Sequence, residues 1–225
     1  MKTRLLYWEN TYLLESSAQI IAIEEGGKGE PYLVFDSTIF YPQGGGQPSD
    51  LGEVWFEEQC LKVTFVQMVD GCVRHYVDGP IDLFQPGQTV RLLVDEKQRI
   101  AHARMHTAGH LLAIAASSVC PEWRPLKGHH FPDGCYVEFE GVLNEEKEAI
   151  IEKLDSSLAE GIALDWPIKA QVINEEGTRT VQIGEHLPVL CGGTHVASCS
   201  ELGIVSVRKV KAKRGRVRVG YCVDC

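Results

Sequence analysis

The chain has 225 residues, 44% of them hydrophobic, and a formal charge of -9. That length and apolar content suffice for one large core or two smaller ones. The acidic balance excludes a protein that coats nucleic acid indiscriminately, because such binding is carried by excess Lys and Arg. The average hides a basic strip, since Arg208 to Arg218 holds seven Lys and Arg and no acid. A local strip on an acidic body suits a partner gripped at one place.

The first ten residues interleave Lys2, Arg4 and Glu9 among apolar side chains and lack the apolar run of a signal peptide. From Thr11 to about Val94, short apolar runs alternate with turn signals. The runs are Leu13 to Ile23, Tyr32 to Phe35, Leu61 to Val69, Cys72 to Val77 and Val90 to Val94. Gly26-Gly27, Gly44-Gly45-Gly46, Asp70-Gly71 and Asp78-Gly79-Pro80 punctuate them. That spacing predicts a mostly β, barrel-like domain over residues 1–94.

The texture changes at Asp95, where Asp95 and Gln98 form a capping pair for a helix running to about Val119, stopped by Pro121. Leu111 to Ala116 is its longest apolar stretch and far too short to span a bilayer. A second helix is predicted from an Asn144 cap to about Glu160, closed by Gly161. Strands are expected at Tyr136 to Phe139, Ile168 to Ile173, Gly203 to Val210 and Arg216 to Cys222. Residues 95–225 therefore read as an α+β domain, and the whole chain as α+β. The eight cysteines are scattered, which favours reduced thiols in a cytoplasmic protein over a disulfide framework.

The chemistry concentrates in this second half. His106 and His110 stand four apart on a predicted helix, so both imidazoles share one face. His102 stands one turn earlier on that face, and spacing alone does not say which pair chelates. Cys191-Gly192-Gly193-Thr194-His195 offers a thiolate and an imidazole on a loop that two glycines allow to be tight. Two histidines, a cysteine and a histidine form a mixed set suited to one tetrahedral zinc per chain.

At these residues the sequence resembles a known family. His106-Thr107-Ala108-Gly109-His110, followed by Cys191-Gly192-Gly193-Thr194-His195, is similar to the zinc signature of the alanyl-tRNA synthetase editing domain, shared with a related domain of threonyl-tRNA synthetase. Thr38-Ile39-Phe40-Tyr41-Pro42-Gln43-Gly44-Gly45-Gly46-Gln47-Pro48 resembles the glycine-rich segment that precedes this domain in the alanyl enzyme and in its free-standing AlaX relatives. The resemblance runs from about Thr38 to Val219 and matches the AlaX type of medium length.

The resemblance implies a trans-editing hydrolase that deacylates mischarged tRNA for alanine, chiefly the seryl ester, with the glycyl ester left to kinetics. It implies His106, His110, Cys191 and His195 as zinc ligands, and Thr38 and Gln47 as groups that read substrate; direct participation of the zinc, with Cys191 among the catalytic residues, is the expectation drawn from the zinc chemistry. A pocket for alanine rejects an added hydroxyl by only about 100-fold, whereas a site that hydrogen-bonds the hydroxyl discriminates by roughly 10⁴ to 10⁵. Zinc lowers the pKa of a bound water to about 7 or acts as a Lewis acid. Four protein ligands, however, close a tetrahedral site in the manner of structural zinc.

The basic strip reads equally as a solvated edge hairpin and as a tRNA phosphate contact through Lys209, Lys211 and Arg214. The expected partner is the acceptor end of tRNA, with no membrane and a monomer or small homo-oligomer. His129-His130 is expected in a loop, either as a wall of the substrate cleft or as an ordinary turn. Cys222 and Cys225 are expected at a frayed terminus. Two other readings stay open: a zinc-stabilised RNA-binding module without turnover, and a zinc hydrolase of another ester or amide.

Overall fold

The computed structural model describes residues 2–27, 29–173 and 178–224. The chain divides into two compact units, one of Met1–Gly44 with Pro48–Ile100, the other of Gly45–Gln47 with Ala101–Cys225. The sequence texture changes at Asp95, whereas this division falls after Ile100, inside a helix. The molecule is α+β.

The first unit contains β1 (Arg4–Leu5), β2 (Glu15–Glu25), β3 (Pro31–Phe35), β4 (Ser37–Thr38), β5 (Gly52–Phe56), β6 (Gln59–Val69), β7 (Cys72–Asp78) and β8 (Thr89–Val94). Six of these close an antiparallel barrel in the order β2-β3-β7-β6-β5-β8; five match the expected short runs, and β5 adds a strand that those runs do not include. Alternation fills it: Val73 and Val77 of β7 and Val90, Leu92 and Val94 of β8 point inward, joined by Leu33, Phe35, Val54 and Leu61. Asp70 and Gly71 take positive φ angles of 49° and 80°, the left-handed pair that joins β6 to β7 with the twist a hairpin needs.

A buried ion pair shuts the base of the glycine-rich segment in this unit. Arg99 Nε donates to both Asp50 oxygens at 3.0 Å, and its terminal nitrogens reach the carbonyls of Thr11 and Ile39. The Asp50 carboxylate accepts the Tyr41 N–H at 2.6 Å. Asp50 and Arg99 have no solvent exposure, so every charge here is matched and hydrogen-bonded inside the protein.

Helix α1 (Glu96–Val119) starts where Asp95 Oδ1 accepts the Gln98 N–H at 3.0 Å, the capping pair expected from sequence. The second unit adds β9 (Arg124–His129), β10 (Tyr136–Glu140), α2 (Lys147–Ala163), β11 (Ile168–Val172), β12 (Arg179–Ile183), β13 (Val189–Leu190), β14 (Ile204–Lys213) and β15 (Arg216–Asp224). One sheet runs β14-β15-β10-β9, another β11-β12-β13. Leu111, Leu112, Trp123, Phe139, Leu154 and Val217 are among the side chains of a continuous apolar core.

Two expectations about α2 are corrected. Its cap is Glu146, while the Asn144 amide instead donates to Glu122. Gly161 lies inside the helix and is buried, because a Cβ there would stand 3.0 Å from Leu111 and 3.1 Å from Trp166. Of the pair His129-His130, expected in a loop, His129 instead ends β9, while His130 lies in the irregular segment just beyond it and is buried. No helix among the described residues is long and apolar enough to cross a membrane. The described cysteines are free thiols, and Cys225 lies outside the described residues.

Candidate metal centre

Within the second unit, α1 presents His106 and His110, and the irregular loop after β13 presents Cys191 and His195. One ligand atom from each of the four lies within 4.8 Å of every other. Cys191 Sγ stands 3.5 Å from His106 Nε2 and 3.2 Å from His195 Nε2. His102, the third histidine on the helix, is not part of the group.

A neighbouring hydrogen bond decides which His106 nitrogen carries the lone pair. The Gln47 amide oxygen only accepts, so His106 Nδ1–H must donate across their 2.7 Å contact, which leaves Nε2 with its lone pair. His195 Nδ1 meets Thr107 Oγ1 at 3.0 Å, and the tautomer that keeps Nε2 free donates there. The hydroxyl also accepts the Val196 N–H at 3.3 Å. Such partners fix ring orientation and raise basicity in metal sites. Gly193 makes the approach feasible, because a Cβ there would fall 2.1 Å from His106 Cε1.

Electrostatics agree with an uncharged imidazole cluster. Burial, reinforced by neighbouring histidines, holds His106 well below the ordinary histidine range. Burial chiefly, with the charge of Arg179, pushes His110 down to about 4 and His195 well down. Burial raises the Cys191 thiol, opposed by the Gly193 N–H at 3.4 Å and by Arg179. A bound cation reverses that last balance, since a metal deprotonates a coordinating thiol. Three neutral imidazoles and one thiol at a single point fit a tetrahedral zinc.

Several contributors carry no clear sequence signal. Arg179, buried at the head of β12, donates from one nitrogen to the carbonyls of Cys191 at 3.1 Å and Gly193 at 2.8 Å, gripping the ligand loop. His130 stacks on His106 with ring centroids 4.6 Å apart. Its Nδ1 bonds Tyr221 Oη at 2.6 Å, and the single phenolic proton goes to the Met105 carbonyl at 2.8 Å. Thr107 and Thr194 could have been found, since they stand inside the two ligand motifs.

The sequence-expected residues separate as follows. Gln47 joins the ligand cluster, but fully buried, with its oxygen also accepting the Thr194 N–H at 3.1 Å and its nitrogen donating to Thr194 Oγ1 at 2.8 Å. Thr38 belongs to the first unit, where its buried hydroxyl meets His75 Nε2 at 2.8 Å and accepts the Phe40 N–H at 3.0 Å. Lys209 and Lys211 lie on β14, and Arg214 lies in the turn before β15 with a φ of 53°.

Comparison with known proteins places this sequence in a lineage. Residues 8–98 match the family described as tRNA synthetases class II (A). The chain is 30% identical to the alanine–tRNA ligase of Caldivirga maquilingensis over 96% of its own length, and 29% identical to that of Korarchaeum cryptofilum over 97%. It spans about a quarter of the length of those ligases, 26% in each case. With the alanyl-tRNA editing protein AlaX-M of Pyrococcus horikoshii it shares 32% identity over 96% of both chains. The chain therefore belongs to the AlaX family of alanyl-tRNA editing proteins.

Proposed function

We propose that this protein is a trans-editing hydrolase that deacylates mischarged tRNA for alanine, chiefly the seryl ester, and that its metal is zinc. The observation that carries the reading is the convergence of His106, His110, Cys191 and His195 within 4.8 Å, with the Gln47 contact turning the His106 Nε2 lone pair inward. The full-length likeness to a protein named for alanyl-tRNA editing supports the substrate class. When bound, zinc would supply a Lewis acid or lower the pKa of a water for ester hydrolysis.

The chain's own residues would do the rest. Gln47 and Thr107 hold two ligand rings, and Arg179 with the Gly193 N–H fixes the loop that bears Cys191. A cavity of about 350 Å³ adjoins His110, with apolar walls from Ala113, Ile114, Val181 and Ile183. Such walls suit the nucleoside end of a charged tRNA, as ligand sites are mostly apolar with a few placed polar groups.

The test compares deacylation of tRNA for alanine charged with serine, glycine or alanine. Fast release of serine with alanine spared is the expected result. Equal release of serine and alanine would overturn the editing reading in favour of a general esterase, and no release would leave an RNA-binding module. A Cys191→Ala protein that keeps its fold and zinc yet stays fully active would remove the thiolate from the reaction.

A further inference from the structure

The outer face of the sheet β14-β15-β10-β9 carries charge for which the metal centre has no use. Residues directly opposite in an antiparallel pair share a face, and here Lys211 stands opposite Arg218 and Lys209 opposite Gly220. The alternate residues Val210, Val217 and Val219 face the core. Over this outer face opens a cavity of about 510 Å³, walled by Arg208, Lys209, Lys211 and Arg218, with Tyr136 and, among the described residues, one acid, Asp133. Like charges round one concavity repel one another, and low-dielectric walls focus their field on an anion.

Arg218 is fixed in a way the lysines are not. Its guanidinium lies 4.1 Å from the centroid of the Tyr136 ring, and one terminal nitrogen donates to Glu138 Oε2 at 2.9 Å. Tyr136 is itself stacked on His129, centroids 5.0 Å apart, and His129 on Phe131 at 4.5 Å. Glu138 is nearly buried and also takes Arg216 at 2.9 Å, so it neutralises neither arginine alone. The Arg218 side chain stays 45% exposed while held on one face and one edge. A fork immobilised before its ligand arrives loses little entropy on binding. The missing side chain at Gly220 lets the Lys209 stem cross the strand, since a Cβ there would stand 3.3 Å from Lys209 Cγ.

We infer that this cavity binds a backbone phosphate of the RNA substrate, with Arg218 as the rigid planar donor and Lys209 and Lys211 as flanking charges. The inference rests on the tRNA-editing reading for the identity of the RNA. It departs from the sequence-based set in adding Arg218 and omitting Arg214, whose turn position puts it outside the cavity wall.

The experiment measures binding of uncharged tRNA for alanine to the full chain across a salt series. Lys209→Gln with Lys211→Gln should weaken binding about tenfold or more. The same pair should flatten the log–log salt slope by about 0.7 to 0.9 for each phosphate that is no longer neutralised. Arg218→Lys keeps the charge and should keep the slope, yet weaken binding severalfold because the stacked fork is gone. Arg214→Gln and Lys147→Gln, the latter on α2, should change neither. If Arg214→Gln acts as strongly as Lys211→Gln, a diffuse field replaces the site and the inference falls. It falls equally if inorganic phosphate binds the cavity while all variants hold tRNA like the parent, which would mark a small-anion site. Deacylation is scored separately: a parent protein that releases no serine but shows the expected salt slopes would sink the editing reading and leave the RNA site standing.

Discussion

Gln47 illustrates how one amide decides between two roles. Sequence resemblance assigns it to substrate reading, yet its oxygen takes both His106 Nδ1–H and the Thr194 N–H while no part of it is exposed. Replacing it with leucine keeps the approximate volume and removes the acceptor. The freed His106 proton and Thr194 N–H would then be buried unpaired, at about 1–3 kcal/mol for each group. Loss of a partner that orients a ligand ring typically weakens metal binding by about 10- to 100-fold. Competition for zinc against a chromophoric chelator should show that loss in Gln47→Leu. Unchanged zinc affinity with lost discrimination between serine and alanine would return Gln47 to substrate reading.

His75, in the barrel unit, gives a second prediction at this scale. Its Nδ1–H donates to the Leu33 carbonyl, so Nε2 accepts from the Thr38 hydroxyl, and burial pushes its pKa from 6.5 to about 4. The folded pKa is the lower one, so as pH falls below 6.5 the unfolded chain takes up a proton that the folded chain refuses. The stability present above pH 6.5 is lost progressively towards pH 4, by roughly 2 kcal/mol at pH 5. Urea denaturation at pH 7 and pH 5 should show this extra acid sensitivity in the parent and not in His75→Gln. Identical pH dependence in the two proteins would mean that His75 is protonated without cost in the fold.

Among elements, the glycine-rich segment depends most on one interaction. Tyr41 and Asp50 close its base, and Arg99 ties Asp50 to the carbonyls of Thr11 and Ile39. Asp50→Ala leaves a guanidinium buried without its counter-charge, a change that costs about 3–5 kcal/mol in comparable pairs. Chemical denaturation of Asp50→Ala should show a loss of that size. Arg99→Met with Asp50→Ala should recover part of it, and a double variant no better than the single would show that loop hydrogen bonds, not charge burial, dominate.

The same elements show what the sequence makes legible. The barrel strands that alternate and end at Gly or Asp-Gly turns are readable, because period-two burial needs no distant information. Strand β9 is hidden by Pro125 and Gly128, which argue against a central strand, but it lies at a sheet edge, where proline is tolerated. Strand β12 is hidden by its inward arginine, Arg179. Residue type and spacing make the two ligand motifs visible but leave His102 open against its helical neighbours; it is the family resemblance that names the four residues that the structure brings together. Arg179 and Tyr221 act through partners far away in sequence, and no local pattern announces such a contact; His130 is singled out beside His129 in the sequence, but its stacking on His106 is not.

At the scale of the whole chain, the open question is whether the four ligands hold the second unit together or are held by it. A zinc finger unfolds without its metal because little else is buried. Here Leu111, Leu112, Trp123, Phe139, Leu154, Leu158, Val217 and Val219 form a core that includes none of the ligands. The ligand rings are also oriented by Gln47 and Thr107, and the loop by Arg179, through hydrogen bonds made within the protein. Chelation should therefore leave a folded protein with native far-UV circular dichroism and no deacylase activity. Its cooperative unfolding should shift by only what binding linkage requires, about 4 kcal/mol when free zinc stands a thousandfold above its dissociation constant. Zinc added back should restore both activity and midpoint without a refolding step. Collapse of the dichroism on chelation would instead make the ion part of the scaffold, and the proposed catalytic role would lose its preformed site.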